Sequence, residues 1–235
     1  MTSASAGPAS VAVVAPMRME LAPLRRRLSS ARWEGDVLHG RAGTIEVAAT
    51  VSGIGTSLAT RATERLLGSF DVSHVVVVGV AGWVGPDLGI GELLVPEVVI
   101  DAATGRTYRA SPLGDSVPRG TLSTSDVLQV DVADLRQKGV VAVDMETAAV
   151  AAVCERHGCP FTAFRAMSDA AEGPVDEAVL RLSRQDGTPD LAAVARYVIA
   201  RPWRIPFLAR LGRDATRAAN TAAEAAVAAL SGLGA

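Results

Sequence analysis

The sequence predicts one α/β domain built on a largely parallel sheet. Three observations carry this reading. Strand-like apolar runs and helical stretches alternate along the chain. Val75–Val80 is a β-branched run of the kind found in strands covered on both faces. No linker-like stretch divides the 235 residues, which are enough for one large core.

The elements follow in order. Val11–Ala15 reads as a buried first strand, and Met19–Leu28 as a helix with Leu21, Leu24 and Leu28 on one face. Ile45–Val51 is a strand ending at the turn Ser52-Gly53-Ile54-Gly55, which opens a helix over Ser57–Leu67. Val75–Val80 runs into Gly79-Val80-Ala81-Gly82, where small residues let a ligand approach the backbone. Glu92–Ile100 is a strand, and Arg106–Arg119, rich in Pro, Gly, Ser and Arg, is a mobile loop. Val140–Val143 is a strand, Glu146–His157 a helix closed by Gly158, and Phe161–Met167 the last clear strand. Asp186–Asp190 forms a turn, with Thr188-Pro189 capping a helix to about Ala200. Arg201-Pro202 breaks it. Ile205–Ala219 is then a second helix, with an apolar arc (Phe207, Leu208, Leu211, Ala215) and a basic stripe (Arg210, Arg213, Arg217). Ala218–Ala235 is Ala-rich and helical. The domain is expected over 11–235, with 186–235 a helical extension and 1–10 a disordered start.

Bulk properties exclude several classes. Hydrophobic residues make up 49% and charged residues 20%, as in globular proteins, and the net charge of −2 predicts no general affinity for nucleic acid. Cys154 and Cys159 form no CxxC pair and have no histidine cluster beside them, which argues against a zinc site. Val11–Ala15 is too short for a signal-peptide core, and no stretch approaches the ~20 apolar residues of a membrane span. The expectation is a cytoplasmic protein with reduced thiols.

Three carboxylates each follow a strand-like run: Glu20, Glu146 and Asp169. In open α/β sheets, ligands bind outside the carboxyl ends of strands, so the three could meet in one pocket. Glu146 at a helix start is expected to stay ionised and to suit vicinal hydroxyls and a developing cation. Asp169 in a dry site would have a raised pKa and act as a general acid, and Glu20 could hold and deprotonate a water. Acids around a sugar cation are the logic of glycoside cleavage, and the same physics applies to a C–N glycosidic bond. Against this, an acid in a first helical turn is often only a cap. Asp144 reads as a pure cap, and His39, His74 and His157 need no role.

Five segments in this order decide between these readings: Ala15-Pro16-Met17-Arg18-Met19-Glu20, Ser52-Gly53-Ile54-Gly55, Gly79-Val80-Ala81-Gly82, Val143-Asp144-Met145-Glu146 and Arg165-Ala166-Met167-Ser168-Asp169. Together they resemble the nucleoside phosphorylase superfamily, and within it the methylthioadenosine/S-adenosylhomocysteine nucleosidase branch. The resemblance covers roughly residues 11–172. It implies a single-domain three-layer fold, with a mixed twisted sheet flanked by helices, in a homodimer. It implies hydrolysis of a purine N-glycosidic bond, with a small-molecule nucleoside as substrate and no metal or cofactor. By matching position, Glu20 would activate water. Glu146 would bind the ribose hydroxyls and stabilise the cationic transition state, and Asp169, supported by Ser168, would protonate purine N7. Met17, Ile54, Ala81, Gly82 and Met145 would contact substrate. Val80 stands where the family has a small hydroxyl residue. Leu128 stands where an aromatic stacks on the purine, leaving the Leu128–Gln129 backbone to read the base edge.

The tail, from Asp186 through Leu211, looks similar to hopanoid-associated members of the superfamily, which release adenine from adenosylhopane. A lipid-like 5′ substituent needs an apolar mouth, and residues 203–217 could then rest weakly on an anionic membrane surface. The alternative is that this helix covers the core with its arginines solvated. A phosphorylase is the alternative chemistry. Arg18 and Arg41 are candidate phosphate ligands, but the first loop lacks the glycine-aspartate-proline signature of one phosphorylase branch.

Overall fold

The computed structural model describes residues 10–84, 88–127, 132–170 and 190–233. Eleven strands form one sheet: β1 Ser10–Ala15, β2 Ser29–Glu34, β3 Val37–Ala42, β4 Ile45–Val51, β5 His74–Trp83, β6 Leu93–Leu94, β7 Val98–Asp101, β8 Thr107–Arg109, β9 Thr121–Thr124, β10 Val140–Asp144 and β11 Phe161–Ala170. Among the described residues the helices are α1 Arg18–Arg27, α2 Thr56–Ser69, α3 Val132–Gln137, α4 Thr147–His157, α5 Leu191–Ala200 and α6 Ile205–Gly232, with a 3₁₀ turn at Pro202–Arg204.

The sheet is mixed, not largely parallel. The β1–β4, β1–β5, β5–β11, β7–β9 and β9–β10 pairs are parallel, but β2–β3, β3–β4, β5–β10, β6–β11 and β7–β8 are antiparallel. The strand-then-helix rhythm missed the short strands. The β2–β3 hairpin carries few buried side chains, so it gives no apolar run to read. The expected strand Glu92–Ile100 is two strands, because Pro96 between them has no N–H for a ladder bond. The expected loop Arg106–Arg119 contains β8, paired with β7.

Helices cover both faces. On one side α1 and α6 bury Leu21, Leu24, Ala222, Ala226 and Leu230 against Val11, Val13, Val76 and Val78. On the other, α2 and α4 bury Ala59, Leu66, Val150 and Cys154 against Val14, Val75 and Val77. The valines of β5 thus alternate between two dry layers, each worth about 1.5–3 kcal/mol when fully buried. The segments expected as Ile205–Ala219 and Ala218–Ala235 form one continuous 28-residue helix, α6. Its Ala-rich half does the packing, because side chains that small let the helix lie close to α1 and β11. The break expected at Arg201-Pro202 is the 3₁₀ turn. Asp190 accepts from the Ala193 N–H at 3.1 Å and caps α5, while Thr188 and Pro189 lie outside the described residues. Residues 1–9 and 171–189 also lie outside them, and β1 begins at Ser10.

One feature of the topology positions the site. Strand β5 shares one edge between two neighbours: β1 beside its first half and antiparallel β10 beside its end, at Gly82 and Trp83. The C-terminal ends of β1 and β10 therefore approach the middle of β5 from opposite directions. The other edge of β5 is lined by β11, which places Arg165 opposite Gly79.

Candidate active site

The acids Glu20 and Glu146 meet in that split, around a residue the sequence reading left without a role. Arg165 is fully buried. Its Nη2 lies 2.6 Å from Asp144 Oδ2 and 3.4 Å from Glu146 Oε2, and its Nη1 lies 4.0 Å from Glu20 Oε1. Its Nε and Nη2 also donate to Thr147 Oγ1, at 3.2 and 3.0 Å. The motif around Arg165 was visible in the sequence. Its function depends on a partner across the sheet, which spacing along the chain does not show.

Gly79 makes the arrangement possible. A Cβ there would sit 2.4 Å from both Arg165 Nη1 and Glu20 Oε1, so only glycine lets the guanidinium cross β5. Both groups are fully buried and have no room to retreat. The variant Gly79→Ala is expected to lose about 1–3 kcal/mol of stability, measured by denaturant unfolding. Its turnover should fall about 100-fold, because displacing reacting groups by an ångström costs that much.

Each acid is held by backbone amides. Glu20 accepts from Met17 N–H and Val80 N–H, both at 2.7 Å, so it caps α1 and bridges to β5 at once. Burial pushes its pKa up to about 7, against the pull of Arg165 and the two amides. Glu146 does not cap its own helix. It reaches across to accept from Gly55 N–H at 2.9 Å. Gly55 itself has φ of 103°, a left-handed conformation that suits glycine. The expectation that the helix start would keep Glu146 ionised is overturned. Burial dominates and raises its pKa, with Arg165 and Gly55 opposing it. One guanidinium among three buried carboxylates cannot balance three full charges.

Asp144 is more than the cap expected. It accepts from Thr147 N–H at 3.2 Å, but it also binds Arg165 and accepts from Thr124 Oγ1 at 2.6 Å. Burial works against the Arg165 charge, but the three acids outweigh it and raise its pKa further. Asp126 was also missed. Its carboxylate accepts from Thr56 N–H at 2.7 Å, tying the start of α2 to the segment after β9.

Asp169 lies within β11, one strand edge away. The pairing passes from Met167 opposite Ala81 to Asp169 opposite Gly82, leaving Ser168 as the extra residue of a β-bulge. Bulges re-aim side chains. Here the Ser168 hydroxyl donates to the Asp169 carboxylate. Burial raises the Asp169 pKa and the serine opposes it. Met17, Ile54, Gly82 and Met145 are half-buried, whereas Ala81 and Ser168 are buried. Leu128 lies outside the described residues.

A cleft of about 520 Å³ opens beside the site, lined by Ser52, Gly53, Val51, Leu58, Trp33 and Arg18 among others. Ser52 and Gly53 belong to the turn that ends at Gly55, and their amides bond Ala15 and Pro16 at 2.9 and 3.1 Å. The cleft therefore adjoins the Met17–Glu20 segment. Among the described residues no group of three His, Cys, Asp or Glu is placed to hold a metal ion. His74 is buried against Thr162, which pushes its pKa down to about 4.

The family profile described as Phosphorylase superfamily matches residues 10–128 and 110–200. The chain belongs to this superfamily. It is an enzyme of the family, and its matched relatives are N-glycosyl hydrolases. The 5′-methylthioadenosine/S-adenosylhomocysteine nucleosidase of Bacillus velezensis is 30% identical over 198 residues, 68% of this chain and 86% of the relative. The nucleosidase of the same name from Chromohalobacter salexigens is 29% identical over 198 residues, 68% and 84% of the two chains. Among solved structures, the S-adenosylhomocysteine nucleosidase of Streptococcus pyogenes, in complex with 5-methylthiotubericidin, superposes with a TM-score of 0.74. That match is 21% identical and covers 98% of this chain and 99% of the other. At that identity the match speaks for the superfamily fold alone, the three-layer mixed sheet described above.

Proposed function

We propose that the chain hydrolyses the purine N-glycosidic bond of a 5′-substituted adenosine and releases adenine. The observation that carries this is Glu20, a buried carboxyl poised near neutrality beside Glu146 and Arg165. Glu20 takes a proton from the attacking water. Asp169, whose pKa burial raises, gives a proton to purine N7 so that the base leaves neutral. Glu146 binds the ribose hydroxyls. Its charge is disfavoured by burial until positive charge develops on the sugar, so its stabilisation is larger in the transition state than in the ground state. Met17, Ile54, Ala81, Gly82, Leu128, Met145 and Ser168 make up the substrate contacts.

The 5′ substituent is proposed to lie in the cleft at Ser52-Gly53, whose Trp33, Val51 and Leu58 suit an apolar group. That favours a bulky substrate such as adenosylhopane, within hopanoid biosynthesis. The names of the relatives favour methylthioadenosine or S-adenosylhomocysteine instead. The working protein is proposed to be a cytoplasmic homodimer, with no resident cofactor and no nucleic-acid partner.

The test follows free adenine by chromatography across a panel of 5′-substituted adenosines, with and without phosphate. Phosphate-independent release is expected. Formation of a sugar 1-phosphate would make the chain a phosphorylase. Because Glu20 must be ionised to act as the base, kcat/KM is expected to rise with pH through an apparent pKa near 7. A profile flat across that range would remove Glu20 from the base role.

A further inference from the structure

The corner between α5 and α6 exposes three large apolar side chains: Ile199 (81%), Trp203 (71%) and Ile205 (48%). The apolar arc of α6 is not what is left open. Its Phe207, Leu208 and Leu211 pack on Tyr197 of α5. Among the described residues of this corner, the exposed large apolar side chains sit at the tip, around the 3₁₀ turn.

Charge around the tip is one-sided. From 196 to 217 the chain carries Arg196, Arg201, Arg204, Arg210, Arg213 and Arg217 against a single acid, Asp214. The Arg201 and Arg204 guanidiniums lie over the Tyr197 and Phe207 rings, at 5.0 and 4.4 Å from their centroids. Stacking holds both beside the apolar tip.

The tip stands at the same end of the sheet as the candidate site. Arg217 of α6 lies against Gly91, whose N–H bonds Met167 O at 2.7 Å, next to Ser168 and Asp169. The other end of α6, at Ser231, lies against Gly43 at the start of β4, at the far end of the sheet. From Arg217 back to Ile205 the helix rises about 18 Å at ~1.5 Å per residue. Over that length it runs on beyond Gly91 to the corner.

We propose that this corner docks on an anionic lipid surface. Trp203, Ile199 and Ile205 enter the interface, where tryptophan is favoured, and the arginines meet the headgroups. The same one-sided charge repels a second copy of the corner, so lipid is the complementary occupant. No helix of the described residues is long and apolar enough to cross a membrane, so the contact is with the surface. Docking brings the end of the sheet that holds the candidate site toward the bilayer. That the bilayer supplies the substrate rests on the nucleosidase reading, whereas docking itself does not.

The full chain is sedimented with vesicles of phosphatidylcholine alone and of phosphatidylcholine mixed with phosphatidylglycerol. It is expected to pellet with the mixed vesicles and to be released by salt. The pair Arg210→Glu with Arg213→Glu should weaken binding at least about tenfold, since each basic residue near such a surface counts for about fivefold; Trp203→Ser should weaken it as well, by removing the aromatic side chain that enters the interface. Both should leave adenine release from a soluble nucleoside unchanged. Equal binding to neutral vesicles, or by the variants, overturns the proposal. So does a concentration-dependent dimer that Trp203→Ser dissolves, which would give the corner to a second copy. Vesicle binding by a protein that releases no adenine would uphold docking and sink the nucleosidase reading instead.

Discussion

Replacing Arg165 with methionine is expected to abolish turnover and lower the melting temperature by about 10 °C. The guanidinium is fully buried and is the cation within reach of Asp144, Glu146 and Glu20. Removing one partner of a buried ion pair leaves uncompensated charge and costs about 3–5 kcal/mol. In a domain of this size each kcal/mol shifts the midpoint by about 2–4 °C. Glu20 and Glu146, whose pKa values Arg165 lowers, then hold their protons more firmly. Glu20, already raised to about 7, moves further from the ionised form a base requires. The sign with pH follows: the stability loss is largest above neutrality and shrinks in acid, where protonated carboxyls need no cation. Lysine should recover part of the stability but less of the activity, because it cannot fork to several acceptors. Thermal melts at several pH values and an adenine-release assay check this. An Arg165→Met protein with the wild-type midpoint and rate would refute the account of the cluster.

Asp169→Asn is expected to lower kcat by about 10²–10⁴-fold, the range of a lost general acid, while the midpoint barely moves. Asparagine keeps the shape, and its carbonyl can still accept from Ser168, which holds Asp169 on the bulge. What is lost is the proton for the departing base. The loss should therefore shrink on a riboside whose leaving group departs without protonation, such as a nitrophenolate. Glu146→Gln should instead be impaired on both kinds of substrate, because it fails to meet the sugar cation. Equal loss on both substrates for Asp169→Asn would take the proton-donor role away from it.

Much of this site could be read along the chain. Glu20, Glu146 and Asp169 follow strand-like runs, and the turns at Gly53–Gly55 and Gly79–Gly82 announce a close approach of backbone. The caps suspected at Glu20 and Asp144 are real, and both residues also serve the cluster. The arginine between them was not legible, although its motif was. Its meaning arises from register, with Arg165 opposite a residue without a side chain. The mixed sheet escaped the residue-level reading for a related reason. Exposed β2 and short β8 and β9 carry too little apolar pattern to signal strands.

The sequence by itself determined the alternation of elements, the valine-rich central strand and the identity of the three acids, because these follow from local periodicity and residue chemistry. Only the tertiary structure decided how the acids share one buried cation and how burial shifts their protons. It also decided that the tail exposes an apolar corner flanked by arginines. Desolvation and cross-strand register depend on neighbours distant in the chain, and those neighbours exist only once the sheet has closed around them.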